Sequence, residues 1–308
     1  MPARGSHAEE SRLTPARSWL FVPGDSERKQ LRGIESAADA LILDLEDSVA
    51  PARRVGARQL VRTLLNARRD RRTPQLWVRV NALASGQLLD DLVAIVGGAA
   101  DGIVLPKVSS IAEILEVQHY LSALERREGI ESHAARVLVI ATETPRALLD
   151  MSGYAQPPGR LAALAWGAED LSAALGARER TQEDGSPSLT FELARSLCVI
   201  AAAAAGIQAV DGVHAQFRDA AGLERELARA RRDGFTGKLA IHPDQVEAIN
   251  LAFTPSDAEL DQARRIVAAF AASPDVGVTS IDGHMIDRPH LVQAQRLLAA
   301  AERLLRRK

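Results

Sequence analysis

Cysteine is nearly absent from this chain: Cys198 is the only one in 308 residues. A single thiol excludes an internal disulfide framework and suits a reducing compartment. Cys198 lies in the apolar helical run Leu197–Ala205, where a thiol reads as inert core filling rather than as a nucleophile. Long apolar runs are also missing, and the longest fall well short of the roughly 20 residues that span a bilayer. The first sixteen residues are polar, without the apolar stretch of a signal peptide, and read as a disordered lead-in. A cytoplasmic location is therefore expected. Net charge is close to zero, at −2, which excludes a general pull toward nucleic acid or an anionic membrane. Arg68–Arg72 is basic, but Asp70 interrupts it and no aromatic side chains interleave with it for base stacking. Neither a P-loop nor a Gly-x-Gly-x-x-Gly occurs, so nucleotide phosphates would have to be held by side chains.

What is present is an ordinary globular composition, 46% hydrophobic and 25% charged. Its short branched apolar segments alternate with segments of helical period. Ser18–Val22 precedes a helix over Ser26–Ser36, Ala40–Leu45 one over Ala52–Arg69, Leu76–Val80 one over Leu88–Val96, and Gly102–Leu105 one over Ile111–Arg127. Val137–Ala141 precedes a short helix from Pro145, and Leu161–Trp166 precedes Leu171–Leu175. After a polar loop with Gly185 and Pro187 comes a helix over Leu189–Ala205; then Ala209–Val213 leads into Gly222–Arg232, and Lys238–Ile241 into Pro243–Leu251. Alternation implies parallel pairing, and the unbroken apolar strands suit a sheet covered on both faces. Eight such units predict a closed (β/α)8 TIM barrel over residues 17–254. The remainder, 255–308, contains a helix from Ser256, a segment rich in Gly and Asp at 275–288, and an amphipathic helix from Pro289. It reads as a C-terminal arm that packs on the barrel or on a neighbouring subunit.

Polar residues follow the strands in a pattern. Asp44, Glu46 and Asp47 follow the second, Arg79 and Asn81 belong to the third, and Lys107 closes the fourth. Glu143 follows the fifth, Glu169 and Asp170 the sixth, Asp211 and His214 the seventh, and His242 the eighth. Barrels build their active sites at this rim. Carboxylates predominate, and no Cys or His cluster offers zinc geometry, so the site favours Mg²⁺ or Mn²⁺. Glu143 and Asp170 come from adjacent strands and are placed to share one ion; the other reading of Asp170 is a helix N-cap. Arg79 sits in the apolar strand Trp77-Val-Arg-Val-Asn and needs an anionic partner, either Glu46 or Asp47 or a substrate carboxylate. Arg28 and Arg32 are one helical turn apart, suited to phosphate or simply a solvated basic face.

These segments resemble, in this order, the citrate lyase β-subunit-like family of the HpcH/HpaI aldolase group. The likeness runs from about Arg17 to Leu298 and rests on Arg17-Ser-Trp-Leu-Phe-Val-Pro-Gly, Leu43-Asp-Leu-Glu-Asp-Ser-Val, Val78-Arg-Val-Asn, Leu105-Pro-Lys, Glu143-Thr and Gly167-Ala-Glu-Asp-Leu. It continues through Phe217-Arg-Asp-Ala-Ala-Gly-Leu, Gly234-Phe-Thr-Gly-Lys, Ile241-His-Pro-Asp-Gln and Gly283-His-Met-Ile-Asp. The resemblance implies Mg²⁺ on Glu143 and Asp170, Glu46 and Asp47 holding the waters of the ion, and Arg79 gripping a 2-oxo acid. It implies a catalytic acid/base at Asp287, delivered to a neighbouring subunit of a trimer or hexamer, and coenzyme A contacts at Phe21, Arg28, Arg32, Ile241 and His242. The activity implied is cleavage or formation of a malyl-, citramalyl- or citryl-CoA thioester. Three other readings stay open: a citrate lyase β-subunit working with acyl-carrier and α-subunit partners, a CoA-independent class II pyruvate aldolase, and a regulatory subunit without chemistry. The sequence departs from the family pattern at Ala82-Leu-Ala-Ser-Gly-Gln, at Arg146 and at Phe21.

Overall fold

The computed structural model describes residues 14–69, 73–98, 100–183, 186–273 and 276–305. The expected lead-in thus lies outside the described residues as far as residue 13, as do Gly185 and the stretch 70–72. Ala16 is already buried, its carbonyl accepting hydrogen bonds from the Trp19 indole and the Gln208 amide. Two compact units divide at residues 251 and 252.

The first unit is a closed barrel of eight parallel strands. Its elements run β1 (Ser18–Pro23), α1 (Glu27–Ile34), β2 (Ala40–Asp44), α2 (Arg54–Ala67), β3 (Gln75–Arg79), α3 (Leu88–Ile95), β4 (Gly102–Leu105) and α4 (Ile111–Glu128). They continue with β5 (Arg136–Ile140), α5 (Pro145–Leu149), β6 (Leu161–Ala165), α6 (Glu169–Leu175), α7 (Leu189–Ala205), β7 (Gln208–Asp211), α8 (Ala220–Asp233), β8 (Gly237–Ala240) and α9 (Val246–Ala252). Pairing of β1 with β8, Ser18 opposite Lys238 and Leu20 opposite Ala240, closes the ring. The eight expected units are all present, each strand within a residue or two of its expected bounds.

The strands are largely apolar because both faces are covered: every residue of β2 and β4 is buried. Gly102 opens β4 where a Cβ would stand 2.3 Å from the Trp77 ring, so only glycine lets the strand approach that side chain. At the opposite end from the functional rim, Arg160 is fully buried just before β6 and forks onto Glu125 of α4 at 2.7 and 2.5 Å. Cys198 is fully buried, and burial raises its pKa, as expected of an inert core thiol.

The second unit begins at Ala252 and holds α10 (Asp257–Ala272), the antiparallel pair β9 (Val278–Ile281) and β10 (His284–Asp287), and α11 (Arg288–Leu305). Ser256 and Glu259 cap α10 reciprocally. The segment rich in Gly and Asp contains a hairpin. Asp282 and Gly283 both take positive φ, 53° and 79°, between the paired residues Ile281 and His284. That is the two-residue turn that Asp-Gly favours, because Gly adopts this conformation freely and Asp tolerates it. Ala263, Ile266 and Phe270 of α10, Ile286 of β10 and Ala294 of α11 form a small core of their own. Among the described residues no helix is long and apolar enough to cross a membrane.

Candidate active site at the C-terminal rim

The ends of β2 to β6 bring together a cluster of acidic and basic side chains. Asp44, the last residue of β2, organises it. Its carboxylate accepts the backbone N–H groups of Glu46 and Ser48, both at 3.0 Å, which folds the following turn and aims Glu46 and Asp47. The same carboxylate takes the Arg79 guanidinium in a fork, Nε at 2.6 Å and Nη2 at 2.7 Å. Glu46 and Asp47, expected as anionic partners of Arg79, do pair with it, but the principal partner is Asp44, which was not anticipated. The register explains it, since β2 and β3 pair Asp44 directly opposite Arg79. Glu46 and Asp47 stand off the remaining Nη1 at 3.1 and 3.5 Å, and the guanidinium lies 4.8 Å from the centre of the Phe21 ring. Burial would raise Asp44, but the Arg79 hydrogen bonds and charge hold it below the usual carboxylate range.

Lys107, one residue beyond Pro106 at the end of β4, is the second cation. Its ammonium donates to Glu46 at 2.6 Å and to Asp47 at 3.2 Å, and lies 3.5 Å from Asp170. Its backbone is left-handed, with φ 55°, so that its own N–H turns to donate to Glu143. Lys107 therefore touches four acidic residues on three loops. In the sequence it stands among the polar residues of the rim, with no role in the site assigned to it. Its pKa is raised: burial works against the charge, and Glu46, Asp47 and Asp170 more than offset it.

Glu143 follows β5 and is buried, 4% exposed. Burial, with the nearby charges of Asp170 and Glu46, pushes its carboxyl up to about 8 against the Lys107 N–H. Burial likewise raises Glu46. Thr142 locks the loops of β5 and β6 together, its hydroxyl donating to the Gly167 carbonyl at 3.0 Å and accepting the Gly167 N–H at 2.9 Å. Asp170 lies in the first turn of α6 and does not cap it; the N-cap is Ala168. The capping reading of Asp170 is removed, and its carboxylate is partly exposed beside Lys107.

Asn81 braces the site, donating its side-chain amide to the Leu45 carbonyl at 3.0 Å and to Asp91 at 2.8 Å. The polar residues of the later strands do not join the cluster. Asp211 is buried against Lys238 at 2.8 Å and Arg195 at 3.0 Å, and Glu226 bridges Lys238 and His214. This second network ties β7 and β8 to α7 and α8. Glu169 faces Arg180 instead. The rim pattern expected from β2 to β8 thus separates into a site on β2 to β6 and a structural latch beyond it, because a buried Lys238 demands its own counter-ions.

Arg28 and Arg32 are exposed on α1, and Ile241 is 40% exposed. His242 caps the turn Pro243–Gln245, its Nδ1 accepting the Asp244 N–H while Gln245 reaches back to the His242 backbone. Its ring stacks on Phe217 with centroids 4.6 Å apart, a contact that the sequence did not foretell. In the C-terminal unit, Asp287 ends β10 and hydrogen-bonds His290, one helical turn on. The His290 hydrogen bond holds the Asp287 carboxyl below its usual range.

Among the described residues no three Asp, Glu, His or Cys side chains converge on a finished metal cage. What the cluster offers is five carboxylates against two cations, with Glu46 Oε2 buried and lacking a hydrogen-bond donor. An excess of hard oxygen donors on three loops suits an ion that keeps most of its ligands as water and substrate oxygen.

Comparisons with known proteins place the chain in a family. The HpcH/HpaI aldolase/citrate lyase family matches residues 17–243. A (3S)-malyl-CoA thioesterase of Cereibacter sphaeroides is 37% identical over 94% of this chain and 95% of its own length. The citrate lyase subunit beta of Escherichia coli is 35% identical over 96% of each. Among solved structures, the protein CitE of Mycobacterium tuberculosis in complex with magnesium, acetoacetate and coenzyme A superposes with a TM-score of 0.75 at 32% identity, covering 94% of this chain and all of that one.

Proposed function

Since the chain belongs to the HpcH/HpaI aldolase/citrate lyase family, we propose that it is a magnesium-dependent carbon–carbon lyase acting on a 3-hydroxyacyl-CoA thioester of the malyl, citramalyl or citryl type. The products are a 2-oxo acid and acetyl-CoA or a related acyl-CoA. The observation that carries this reading is the grouping of Glu143, Asp170, Glu46 and Asp47 around Lys107 at the barrel rim, the first through the Lys107 backbone N–H and the other three through its ammonium, with Arg79 beside them. Magnesium and coenzyme A in the Mycobacterium tuberculosis relative support it.

Glu143 and Asp170 would hold the ion, with Glu46 and Asp47 beside them to accept hydrogen bonds from its water. When bound, the ion would supply Lewis acidity toward the substrate's hydroxyl and carboxylate oxygens. Arg79 is fixed on one edge by Asp44, and its Nη1, which Glu46 and Asp47 also face, orients the oxo-acid carboxylate. Such orientation counts, because misplacing a reacting group by about 1 Å can cost roughly 10²-fold. In cleavage the hydroxyl gives up its proton to water, the bond between the hydroxyl-bearing carbon and the carbon next to the thioester breaks, the electron pair passes to the thioester enolate, and the Asp287 carboxylate takes up a proton from water. Asp287 returns a proton to the enolate carbon; in the reverse direction it removes that proton. Asp287 acts on a neighbouring subunit's barrel, within a homotrimer or hexamer. Exposed Arg28 and Arg32 contact the coenzyme A phosphates, with Phe21, Ile241 and His242 along the same ligand.

An Escherichia coli relative named citrate lyase subunit beta favours one second reading, action on a thioester carried by an acyl-carrier partner. Assay of the purified protein with Mg²⁺ against malyl-, citramalyl- and citryl-CoA decides between them. Release of glyoxylate, pyruvate or oxaloacetate supports the stand-alone lyase. Turnover of carrier-bound citryl thioester only, with no CoA thioester cleaved, supports the second reading.

A further inference from the structure

Lys107 is placed unlike any other basic residue of the site. Arg79 has its own buried counter-ion in Asp44, whereas the Lys107 ammonium has no single partner. It is shared among Glu46 at 2.6 Å, Asp47 at 3.2 Å and Asp170 at 3.5 Å. The left-handed backbone at φ 55°, an uncommon conformation for a residue with a side chain, sets its N–H on Glu143 at the same time. Backbone and side chain thus reach both carboxylates assigned to the metal, and the side chain reaches both that flank it.

We infer that Lys107 is a positioning residue that sets how tightly the site binds its divalent cation. Its backbone N–H fixes the Glu143 carboxylate, while its ammonium competes with the ion for the oxygens of Asp170, Glu46 and Asp47. The inference rests on the metal-site reading of Glu143 and Asp170 and extends it. The physical reason is charge at short range. A fixed positive charge a few ångströms from a divalent ion repels it, and near a protein surface such pairs interact by several times the thermal energy. Removing the ammonium leaves the same carboxylates less neutralised. The left-handed N–H to Glu143 belongs to the backbone and survives a change of side chain.

The test is Mn²⁺ titration of the purified protein, reading free Mn²⁺ by electron paramagnetic resonance. Two variants remove the ammonium: Lys107→Met, and Lys107→Gly, which keeps the N–H and adopts positive φ without strain. Both are expected to bind Mn²⁺ about tenfold tighter than wild type, since each loses a repulsive charge. If Lys107→Met does not fold, Lys107→Gly carries the comparison. Unchanged or weaker Mn²⁺ affinity in the folded variant, with Glu143→Gln abolishing wild-type binding, overturns the role of Lys107 and leaves the metal site standing. Wild-type binding that Glu143→Gln and Asp170→Asn both leave intact overturns the metal-site reading, and the role of Lys107 falls with it.

Discussion

Asp44 and Arg79 face one another across the first two neighbouring strands of the site and are joined by two hydrogen bonds, 2.6 and 2.7 Å long. The pair does two jobs. It neutralises a cation that has little access to water, and it holds one edge of the guanidinium still so that the other faces the site. Removing one member of such a pair leaves a buried charge uncompensated, which typically costs about 3–5 kcal/mol. Asp44→Ala is expected to lose stability on that scale in urea denaturation, and to lose the turn that aims Glu46 and Asp47 with it. A variant as stable as the wild type would show that Arg79 does not depend on Asp44.

Arg160 and Glu125 make a comparable pair at the other end of the barrel, away from any proposed chemistry. Glu125→Ala should therefore destabilise by about 3–5 kcal/mol. It should leave kcat per folded molecule unchanged in a steady-state assay at a temperature where the variant remains folded. A selective fall in kcat would place this pair in the functional machinery.

Glu143 yields a pH dependence whose sign follows from its environment. Burial and its acidic neighbours push its carboxyl up to about 8 in the metal-free fold. Between the ordinary carboxylate range and that value, the folded chain keeps a proton that the unfolded chain releases. Stability of the metal-free protein from this group therefore falls as pH rises through the window and levels off above it. Thermal melts with a chelator present should show the decline, and Glu143→Gln should flatten it. Added Mg²⁺ should stabilise the protein more at the upper end of the window, because a metal ligand must be deprotonated.

Asp287→Asn tests the acid/base. Loss of a positioned proton-transfer group costs typically about 10²–10⁴-fold in rate, and kcat should fall on that scale with little change in the melting temperature. If Asp287 serves a neighbouring subunit, co-expression of Asp287→Asn with Glu143→Gln should recover activity that neither has alone. Mixed oligomers isolated on two affinity tags and still inactive would contradict delivery between subunits.

The barrel was legible because eight apolar segments alternate with helical ones, and continuous burial of parallel strands leaves that trace in the sequence. Glu143 and Asp170 were legible as an acidic pair after adjacent strands. The Asp44 partnership was not, because it depends on the register that sets Asp44 opposite Arg79, and no spacing along one chain reports which residues of two strands face each other. Lys107 was legible as a rim residue but its role was not: that lies in a left-handed backbone and in contacts to Glu46 and Asp170 beyond β2 and β6, neither visible in Leu105-Pro-Lys. Asp211 and His214 looked like site residues because they follow a strand, but buried Lys238 claims Asp211, and Glu226 holds His214. The hairpin at Asp282-Gly283 did carry a signal, the dipeptide itself, which the surrounding glycine and aspartate obscured.

Cleavage of a carbon–carbon bond is the reaction proposed for this protein. The decisive measurement is the early-time product ratio from the preferred CoA thioester, with Mg²⁺ and with a chelator, resolved by mass spectrometry. Equal amounts of 2-oxo acid and acyl-CoA, formed only with Mg²⁺ and lost in Glu143→Gln, are the predicted result. Free coenzyme A and an intact hydroxy acid as the first products, or formation of the 2-oxo acid without a divalent ion, would contradict it.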